Sequence, residues 1–369
     1  MNIAPRRLAA IALACVLVVG VGYGIVSSIA QTAGNGSTVS LTGYIGSEKQ
    51  PFFDDARVKA ALKRGGFVVT VTTAGSRQIA SMDLSKADFA FPAGAPAAVK
   101  IVHDHPGSVS YQPFYSPMAI ATWKPIVALL EQAGVVHQRT GYLGFDMNAF
   151  MTLVEHDTRW KDLPSNSDYS VNKSILITST DPRKSNSAAM YLALSSYVAN
   201  GDAIVSEDGQ VDAVMAAVTP LFLRQGFVEN SSEVPFDDYL VQGMGKSPMV
   251  MIYEAQYLAR QAANDGSITD SNVLMYPEPT VFSKHTFVAL NDNAKRLGDF
   301  LNGDAEIQQL ATDFGFRTSN AGAFRAFVST HHLTVPDTLV DVIEPPTYET
   351  LEKMLTRLEQ LYAGATLAP

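Results

Sequence analysis

The sequence predicts an α/β protein of two lobes that follows an N-terminal transmembrane helix. Three observations lead to this prediction. The chain has 369 residues, and one ordinary domain holds only about 100–200. Residues 8–30 are apolar and carry no charge. From Thr38 onward, strand patterns alternate with helix patterns, which is typical of a parallel sheet joined by right-handed crossovers.

The N-terminal segment is long enough to cross a membrane. Residues 8–30 form an uncharged run of 23 residues, and about 20 apolar residues span the hydrocarbon core as a helix. Arg6 and Arg7 precede the run, so the rest of the chain is expected outside the cell membrane as a single-pass protein. Two alternatives stay open: a signal peptide cleaved near Ser28-Ile29-Ala30, and lipid attachment at Cys15 in a loose lipobox. All three place the remaining chain on the exported side.

Composition and charge exclude several classes of function. Hydrophobic residues make up 47% and charged residues 17% of the chain, which excludes a wholly disordered protein. There are 27 basic and 36 acidic side chains, for a formal charge of −9. Such a chain has no general attraction to nucleic acid or anionic lipid. Cys15 is the single cysteine, so an intramolecular disulfide is excluded. Function is therefore expected to lie in a pocket.

The first unit after the linker has the order strand, helix, strand, helix, strand. Residues 39–45 alternate apolar and polar side chains and predict a strand. Residues 51–64 predict a helix that begins at a proline and ends at two glycines. Residues 67–73 are mostly β-branched, which predicts a strand buried on both faces. A short helix over residues 77–82 and a strand over residues 87–91 complete the unit.

The rest of the chain continues the alternation and ends in an amphipathic helix. Further strands are predicted over residues 116–121, 174–178, 249–253 and 281–290. Helices are predicted over residues 124–132, 146–160, 186–199, 211–224, 237–242, 255–263, 294–301 and 305–314. Residues 347–362 place Leu351, Met354, Leu355, Leu358, Leu361 and Tyr362 on one helical face. We expect this last helix to pack across a lobe rather than to bind a partner.

Three segments share one design, in which a strand ends in a small, hydroxyl-bearing turn and a helix begins. They are residues 46–49, 74–78 and 181–187. The start of a helix exposes free N–H groups that suit an anion or a carbonyl-rich ligand, and open parallel sheets bind ligands beyond the carboxyl ends of their strands. Ordinary helix capping by Ser47, Ser76 or Ser185 would explain any one of the turns alone.

The order of these and later segments resembles the type II periplasmic, or extracellular solute-binding, proteins, nearest their molybdate/sulfate-type branch. The similarity covers roughly residues 41–317. It is carried by the motifs Gly-Ser-Glu-Lys at 46–49, Thr-Ala-Gly-Ser-Arg-Gln-Ile-Ala at 73–80, Lys-Ala-Asp-Phe-Ala-Phe-Pro-Ala-Gly at 86–94, Asp-Pro…Ser-Ala-Ala-Met-Tyr at 181–191, Gly-Lys-Ser-Pro-Met-Val-Met-Ile-Tyr at 245–253, and the closing segments 277–286, 294–301 and 305–316.

The resemblance implies a two-lobed clamshell, the type II periplasmic-binding fold, with its ligand between the lobes. Lobe one would comprise residues 38–121 and 280–320, and lobe two residues 122–279. Residues 1–37 would be the anchor or signal segment with its linker, and residues 321–369 a C-terminal extension. The family's donor positions match Ser47 and Ser76 on lobe one. On lobe two they match Asn186 or Ser187, and Tyr253.

Charged neighbours distinguish this chain from a simple oxyanion site. Lys49 and Arg77 stand beside the two serines, and Glu48 and Glu254 bring acids close to the cleft. A larger anion or a zwitterion would use both signs of charge, with Arg77 as a bidentate clamp.

The resemblance implies an extracellular protein that captures a small, anionic or zwitterionic ligand for a transporter, and the apolar N-terminal run adds a membrane anchor. Its partners would be that ligand, an ABC-transporter permease or another membrane protein, and the membrane itself. The alternative is a clamshell-derived interaction or sensory module that acts through a protein partner. We expect no cofactor and no metal site. We also expect no enzymatic activity, since the nucleophile motif G-x-S-x-G is missing from the sequence. A hydrolase would need a distant base such as His285. The pair His103 and His105 is expected in a surface loop.

Overall fold

The computed structural model describes residues 38–164, 166–225, 229–339 and 341–366. The predicted transmembrane helix over residues 8–30 lies outside these ranges. Among the residues that are described, no helix combines the length and the apolar character that crossing a bilayer requires.

Strands and helices alternate along most of the described chain. The strands are β1 (Val39–Ile45), β2 (Phe67–Thr73), β3 (Phe89–Phe91), β4 (Val109–Trp123), β5 (Val136–Arg139), β6 (Tyr142–Asp146), β7 (Met249–Tyr253), β8 (Asn272–Glu278), β9 (Thr280–Ala289), β10 (Arg317–Thr318) and β11 (Val342–Ile343). The helices are α1 (Gln50–Asp54), α2 (Ala56–Arg64), α3 (Ser76–Ser81), α4 (Ala95–Asp104), α5 (Lys124–Gln132), α6 (Met147–Glu155), α7 (Asn186–Ala199), α8 (Asp208–Leu223), α9 (Glu233–Gln242), α10 (Glu254–Ala263), α11 (Asp292–Gly303), α12 (Ala305–Asp313), α13 (Ala321–Thr330) and α14 (Tyr348–Thr366).

Lobe one is built on a sheet with the order β2-β1-β3-β9-β4. Strands β2, β1 and β3 are parallel, as the alternating pattern predicts, and β9 and β4 run antiparallel to their neighbours. The prediction that β2 is buried on both faces is wrong. This strand is the edge of the sheet, and Val68, Thr70 and Thr72 are exposed. β-Branched residues suit a pleated strand whether it is central or at an edge, so the pattern does not distinguish the two.

Two crossings connect the lobes, and β4 is the first. From Val109 to Pro117 this strand pairs with β9 in lobe one, and from Met118 onward it pairs with β7 and β8 in lobe two. The second crossing is the step from β8 to β9, which includes the cis peptide Glu278–Pro279. The pairing of β4 therefore changes between Pro117 and Met118, and the lobe bounds at residues 121 and 280 stay predictions.

Lobe two continues the sheet through β8, β6 and β5 and surrounds it with helices. Its core gathers apolar side chains from α6, α7, α8 and β7, including Phe150, Tyr191, Phe222 and Met251. Helices α5 and α7 have the predicted bounds. Residues 174–178 do not form the predicted strand: Ser174 and Thr178 make only isolated bridges, to Arg159 and Val250.

Two further elements differ from the sequence prediction for identifiable local reasons. The helix expected over residues 51–64 is divided at Asp55, whose backbone is extended and whose carboxylate accepts the N–H groups of Arg57 and Val58 to cap α2. His103 and Asp104 lie in helix α4 instead of a surface loop. This helix has a proline in its first turn, where proline is tolerated because the N–H has no helical partner.

The C-terminal extension packs against lobe two. Phe324 and Phe327 of α13 join a cluster with Phe236 and Tyr257. In α14 the side chains of Leu351, Met354, Leu355 and Leu358 are buried in the lobe-two core. The amphipathic pattern of this helix therefore corresponds to a packing face, except at Leu361, which is 43% exposed.

Candidate functional site

A polar cavity of about 210 Å³ lies between the lobes. Lobe one contributes the turns after β1 and β2, and lobe two contributes the start of α7, the segment before α9 and the end of β7. The lining residues are Gly46, Ser47, Glu48, Thr73, Ala74, Gly75, Ser76, Gln78, Ala93, Ser185, Asn186, Asn230, Ser231, Ser232 and Tyr253. Hydroxyl and amide groups predominate, so the cavity can offer hydrogen bonds from both sides to one enclosed molecule.

The turn after β1 brings Ser47 into the cavity. Gly46 donates its N–H to the Phe91 carbonyl at 3.2 Å, which fixes the turn to β3. Ser47 then begins one turn of 3-10 helix. Its hydroxyl lies 2.6 Å from the hydroxyl of Ser231 on lobe two. The two lobes therefore meet at this pair of serines.

The turn after β2 places Ser76 at the start of α3. The Ser76 hydroxyl accepts the N–H of Ala93 at 2.8 Å, and the residue is only 3% exposed. Because that bond uses an oxygen lone pair, the hydroxyl proton can still be donated. At Gly75 the lobes approach so closely that an added Cβ would overlap the Lys184 carbonyl oxygen. Glycine is required here by the space available.

Asn186 and Tyr253 lie on the lobe-two side of the cavity and are joined to each other by a hydrogen bond. The Asn186 amide donates to the Tyr253 hydroxyl at 3.1 Å and to the Ser283 hydroxyl of lobe one at 3.3 Å. Ser283 in turn donates to the Ala93 carbonyl. Burial raises the pKa of Tyr253 far above its ordinary value, and nearby Glu48 adds to the effect. Tyr253 is therefore a neutral hydroxyl at physiological pH.

Lys49 does not line the cavity, although it follows Ser47 and Glu48 in the sequence. Its side chain is fully buried within lobe one, where the ammonium contacts the Glu48 carboxylate and lies 3.3 Å from Nδ1 of His285. Burial lowers the pKa of Lys49, and the Glu48 charge opposes that shift. Lys49 was predicted to bind the ligand because it follows cavity residues in the sequence, but its side chain points into the interior of lobe one.

Glu48 lines the cavity, and its buried carboxylate is held ionised. Burial alone would raise its pKa, but Lys49 and His285 outweigh burial and lower the pKa to about 2. His285 is fully buried, and burial together with the Lys49 charge lowers its pKa to about 4, so it is neutral at pH 7. The polar neighbours of His285 are Lys49 and Glu48, not Ser47 or Ser76.

Arg77 and Ser187, two further predicted site residues, are not among the residues that line the cavity. Their side chains make their contacts elsewhere. Arg77 forms a two-pronged ion pair with Glu352 of α14, a second pair with Glu359, and a hydrogen bond of 2.9 Å to the Arg183 carbonyl. Burial alone would lower the pKa of Arg77, and the two carboxylates reverse that and raise it. The Ser187 hydroxyl is buried against Thr180 and Ser185, at 2.7 and 3.0 Å.

Sequence reasoning missed the lobe-two segment Asn230-Ser231-Ser232, which lines the cavity opposite Ser47. The segment is a small, hydroxyl-bearing turn before α9, so it carries the same local signal as the three turns singled out. It does not follow a strand, and for that reason the strand-to-helix criterion passed over it.

Glu254 is likewise not a cavity residue. Its carboxylate is fully buried and forms a two-pronged ion pair with Arg317 of lobe one, with N–O distances of 2.7 and 2.9 Å. Tyr276 donates its hydroxyl to the same carboxylate at 2.6 Å. The acid predicted near the cleft is therefore a structural joint between the lobes.

Comparison with solved structures identifies the architecture. The chain is similar to the sulfate-binding protein SubI from Mycobacterium tuberculosis H37Rv, with 16% identity, a TM-score of 0.54, and coverage of 85% of this chain and 96% of that one. It is also similar to the periplasmic binding protein AfuA from Actinobacillus pleuropneumoniae, solved with fructose-6-phosphate bound (12% identity, TM-score 0.55, coverage 89% and 99%). A third similar structure is apo ferric ion-binding protein A from Pasteurella haemolytica, with 14% identity, a TM-score of 0.53, and coverage of 89% of this chain and 98% of that one.

These similarities define the class of fold. The chain has the two-lobed fold of the type II periplasmic binding proteins, and the fold implied by the sequence resemblance is thereby confirmed. No protein-family model matches the sequence, and no curated protein matches it.

Proposed function

We propose that this protein is an exported solute-binding protein that captures a small anionic or zwitterionic ligand between its lobes. The observation that carries the proposal is the polar cavity, which is lined by hydroxyl and amide groups from both lobes. A ligand enclosed there would contact both lobes at once. The similar structures of a sulfate-binding protein and of a sugar-phosphate-bound protein support the same class of role.

In this proposal the direct contacts come from Ser47, Ser76, Asn186 and Tyr253, with Ser231 added on lobe two. Hydroxyl and amide donors suit the oxygen atoms of an anionic group. The ionised carboxylate of Glu48 would accept the N–H groups of a cationic part, which favours a zwitterion. Lys49, Arg77 and Ser187 support the neighbouring turns and are assigned no direct contact.

Binding would act through closure of the lobes. A ligand that touches both lobes favours the closed state by its difference in affinity for the two states. Moving such an equilibrium from mostly open to mostly closed takes on the order of 5 kcal/mol. Hydrogen bonds to a charged ligand contribute roughly 1.5–3 kcal/mol each, so a few of them suffice.

We further propose that residues 8–30 hold the protein at the membrane and that a transporter permease receives the ligand. The apolar run and its preceding arginines support the membrane attachment. No catalytic role is assigned, because His285 is buried among Lys49 and Glu48 and offers no base to the cavity serines.

Native mass spectrometry of the purified full chain tests for a retained ligand. Isothermal calorimetry then compares sulfate, fructose 6-phosphate and glycine as an oxyanion, a sugar phosphate and a zwitterion. The double variant Ser47→Ala/Ser76→Ala should weaken binding of any molecule that the wild type binds by roughly tenfold or more, since two donors to a charged group are lost.

The matched control is Ser40→Ala/Ser81→Ala, in which both serines are exposed and lie outside the cavity. This control should bind as the wild type does. Unchanged affinity in Ser47→Ala/Ser76→Ala, with the fold intact by circular dichroism, would place the ligand elsewhere.

The second candidate function is an interaction or sensory module that acts through a protein partner. The observation in its favour is that Arg77, next to Ser76, is engaged by α14 of the extension rather than pointing into the cavity. Small-angle scattering with the three probes and with any co-purified molecule separates the candidates. Compaction on adding a solute supports capture, and no response to any solute supports the module.

A further inference from the structure

The C-terminal helix α14 is fixed to lobe two by an apolar face. Leu351, Met354, Leu355 and Leu358 are buried in the lobe-two core. Two exposed ion pairs, Lys353–Asp208 at 2.5 Å and Arg357–Asp212 at 3.1 Å, connect the same helix to α8. Burial of this apolar surface makes the helix part of lobe two.

The same helix reaches lobe one through charged groups. The guanidinium of Arg77 holds Glu352 with N–O distances of 2.8 to 3.0 Å. It also contacts Glu359, about two helical turns further along the same face. The side chain of Arg77 is only 17% exposed. Lys100 of α4 lies 5.9 Å from the ring of Tyr348, near the first turn of α14.

These two sets of contacts differ in kind. Toward lobe two the helix buries apolar side chains, and toward lobe one it presents two carboxylates to Arg77 and the ring of Tyr348 to Lys100. When the lobes separate, α14 must therefore move with lobe two, and the contacts of Arg77 must break. Because Arg77 follows Ser76 directly, the ion pairs lie beside the cavity.

We propose that α14 is a latch between the lobes, fastened by Arg77 to Glu352 and Glu359, and that release of this arginine controls access to the cavity. The latch belongs to the chain itself and does not depend on what the cavity binds. A two-pronged arginine–carboxylate pair has defined geometry, so it holds one relative position of the lobes better than a single point contact does.

The latch should also respond to salt. The carboxylates of Glu352 and Glu359 are partly exposed, at 24% and 37%. Ion pairs that retain contact with water weaken as ionic strength rises. Higher salt should therefore favour the open form of the wild type and have less effect once Arg77 is removed.

Distances between spin labels on the two lobes test the latch in the full chain. Ala60 of α2 and Ala216 of α8 are exposed positions on lobe one and lobe two, and Ala60→Cys and Ala216→Cys can carry the labels in a Cys15→Ser background. In Arg77→Ala the population with a long distance should rise by roughly fivefold, the factor that corresponds to losing about 1 kcal/mol. Glu352→Gln/Glu359→Gln should raise it too, although Arg77 keeps its hydrogen bond to the Arg183 carbonyl of lobe two in that variant, and no rise there would assign the opening to that bond and overturn the latch.

Lys353→Ala is the matched control, since it removes an ion pair of the same helix that connects only to lobe two. Its distance distribution should equal that of the wild type. An unchanged distribution in Arg77→Ala, with its thermal melting preserved, overturns the proposal. Equal opening in Lys353→Ala overturns it too, because the effect would then come from general weakening of α14.

Discussion

Two buried charge clusters beside the cleft differ in how completely their polar atoms are paired. The Glu254 cluster consists of Glu254, Arg317 and Tyr276. Both carboxylate oxygens are bound by Arg317, one also by Tyr276, and Arg317 gives a further hydrogen bond of 3.0 Å to the Pro336 carbonyl. The ring of Phe324 lies 4.4 Å from the guanidinium. Among the described residues, no buried side-chain nitrogen or oxygen of this cluster lacks a hydrogen-bond partner.

The Glu48 cluster consists of Glu48, Lys49 and His285 and is less complete. Lys49 and Nδ1 of His285 share one carboxylate oxygen, and Nε2 of His285 is buried without a hydrogen-bond partner among the described residues. Glu48 is also one of the residues that line the cavity. The comparison teaches that the fully paired cluster joins the two lobes, whereas the incompletely paired one supports a turn that faces the proposed ligand.

The largest expected effect on the free energy of unfolding comes from removing the arginine of the Glu254 cluster. Arg317→Ala leaves the Glu254 carboxylate buried with Tyr276 as its remaining donor. Removing one partner of a buried ion pair costs about 3–5 kcal/mol. Urea denaturation should show a loss of that size in the free energy of unfolding.

Arg64→Ala provides the control, because its ion pair with Glu306 joins two helices at exposed positions. Surface pairs of this kind contribute about 0–1 kcal/mol. A loss for Arg317→Ala no larger than that of the control would contradict the distinction between the two clusters.

The second effect is a pH dependence that belongs to the incompletely paired cluster. The pKa of His285 falls from 6.5 to about 4 on folding, mainly because of burial. Between these values the unfolded chain binds the proton more readily, so the free energy of unfolding should fall by about 3 kcal/mol as pH drops from 6.5 to 4. Thermal denaturation across this range measures the slope.

His285→Gln should remove most of that slope, whatever its stability at pH 7, because glutamine does not titrate there. His103→Gln is the control, since it replaces an exposed imidazole. An identical slope in the wild type and in His285→Gln would show that the acid sensitivity has another source.

The smallest expected effect separates the contribution of Tyr276 to the Glu254 cluster from that of Arg317. Tyr276→Phe removes one donor to Glu254 and leaves both bonds from Arg317. A hydrogen bond to a charged group is worth about 1.5–3 kcal/mol, and we expect a loss near the lower end. Tyr44→Phe, at a partly exposed tyrosine, should change the unfolding free energy little in the same denaturation experiment. If Tyr276→Phe lowered the free energy of unfolding as much as Arg317→Ala does, the Tyr276 hydroxyl rather than the ion pair would be the main stabilising contact of this cluster.

Much of the fold could be predicted because its signals are local. The bounds of β1, β2, α5, α7 and β7 follow from side-chain periodicity and from Pro or Gly at the ends. The edge position of β2 depends on which strands pair, which no local pattern contains. The length of β4 escaped prediction because Pro113 and Pro117 lie within it, and proline argues against a central strand.

The candidate site was predictable in its turns but not in its charges. Ser47, Ser76, Asn186 and Tyr253 line the cavity because the backbone at strand ends and helix starts sets where they lie. The direction of a long side chain depends on its partners elsewhere: Lys49 turns inward to Glu48 and His285, and Arg77 turns to α14 some 275 residues further along the chain. Sequence neighbours do not disclose such partners.

Strand β4 has a consequence for anyone who would divide this protein. Its first half supplies backbone hydrogen bonds to one lobe and its second half to the other, and β8 and β9 return the chain across the same border. A cut at either crossing leaves one half without a strand that its sheet needs. Neither half should be recoverable as a folded fragment, and designed insertions or new chain ends belong in the outer loops, away from this shared ribbon.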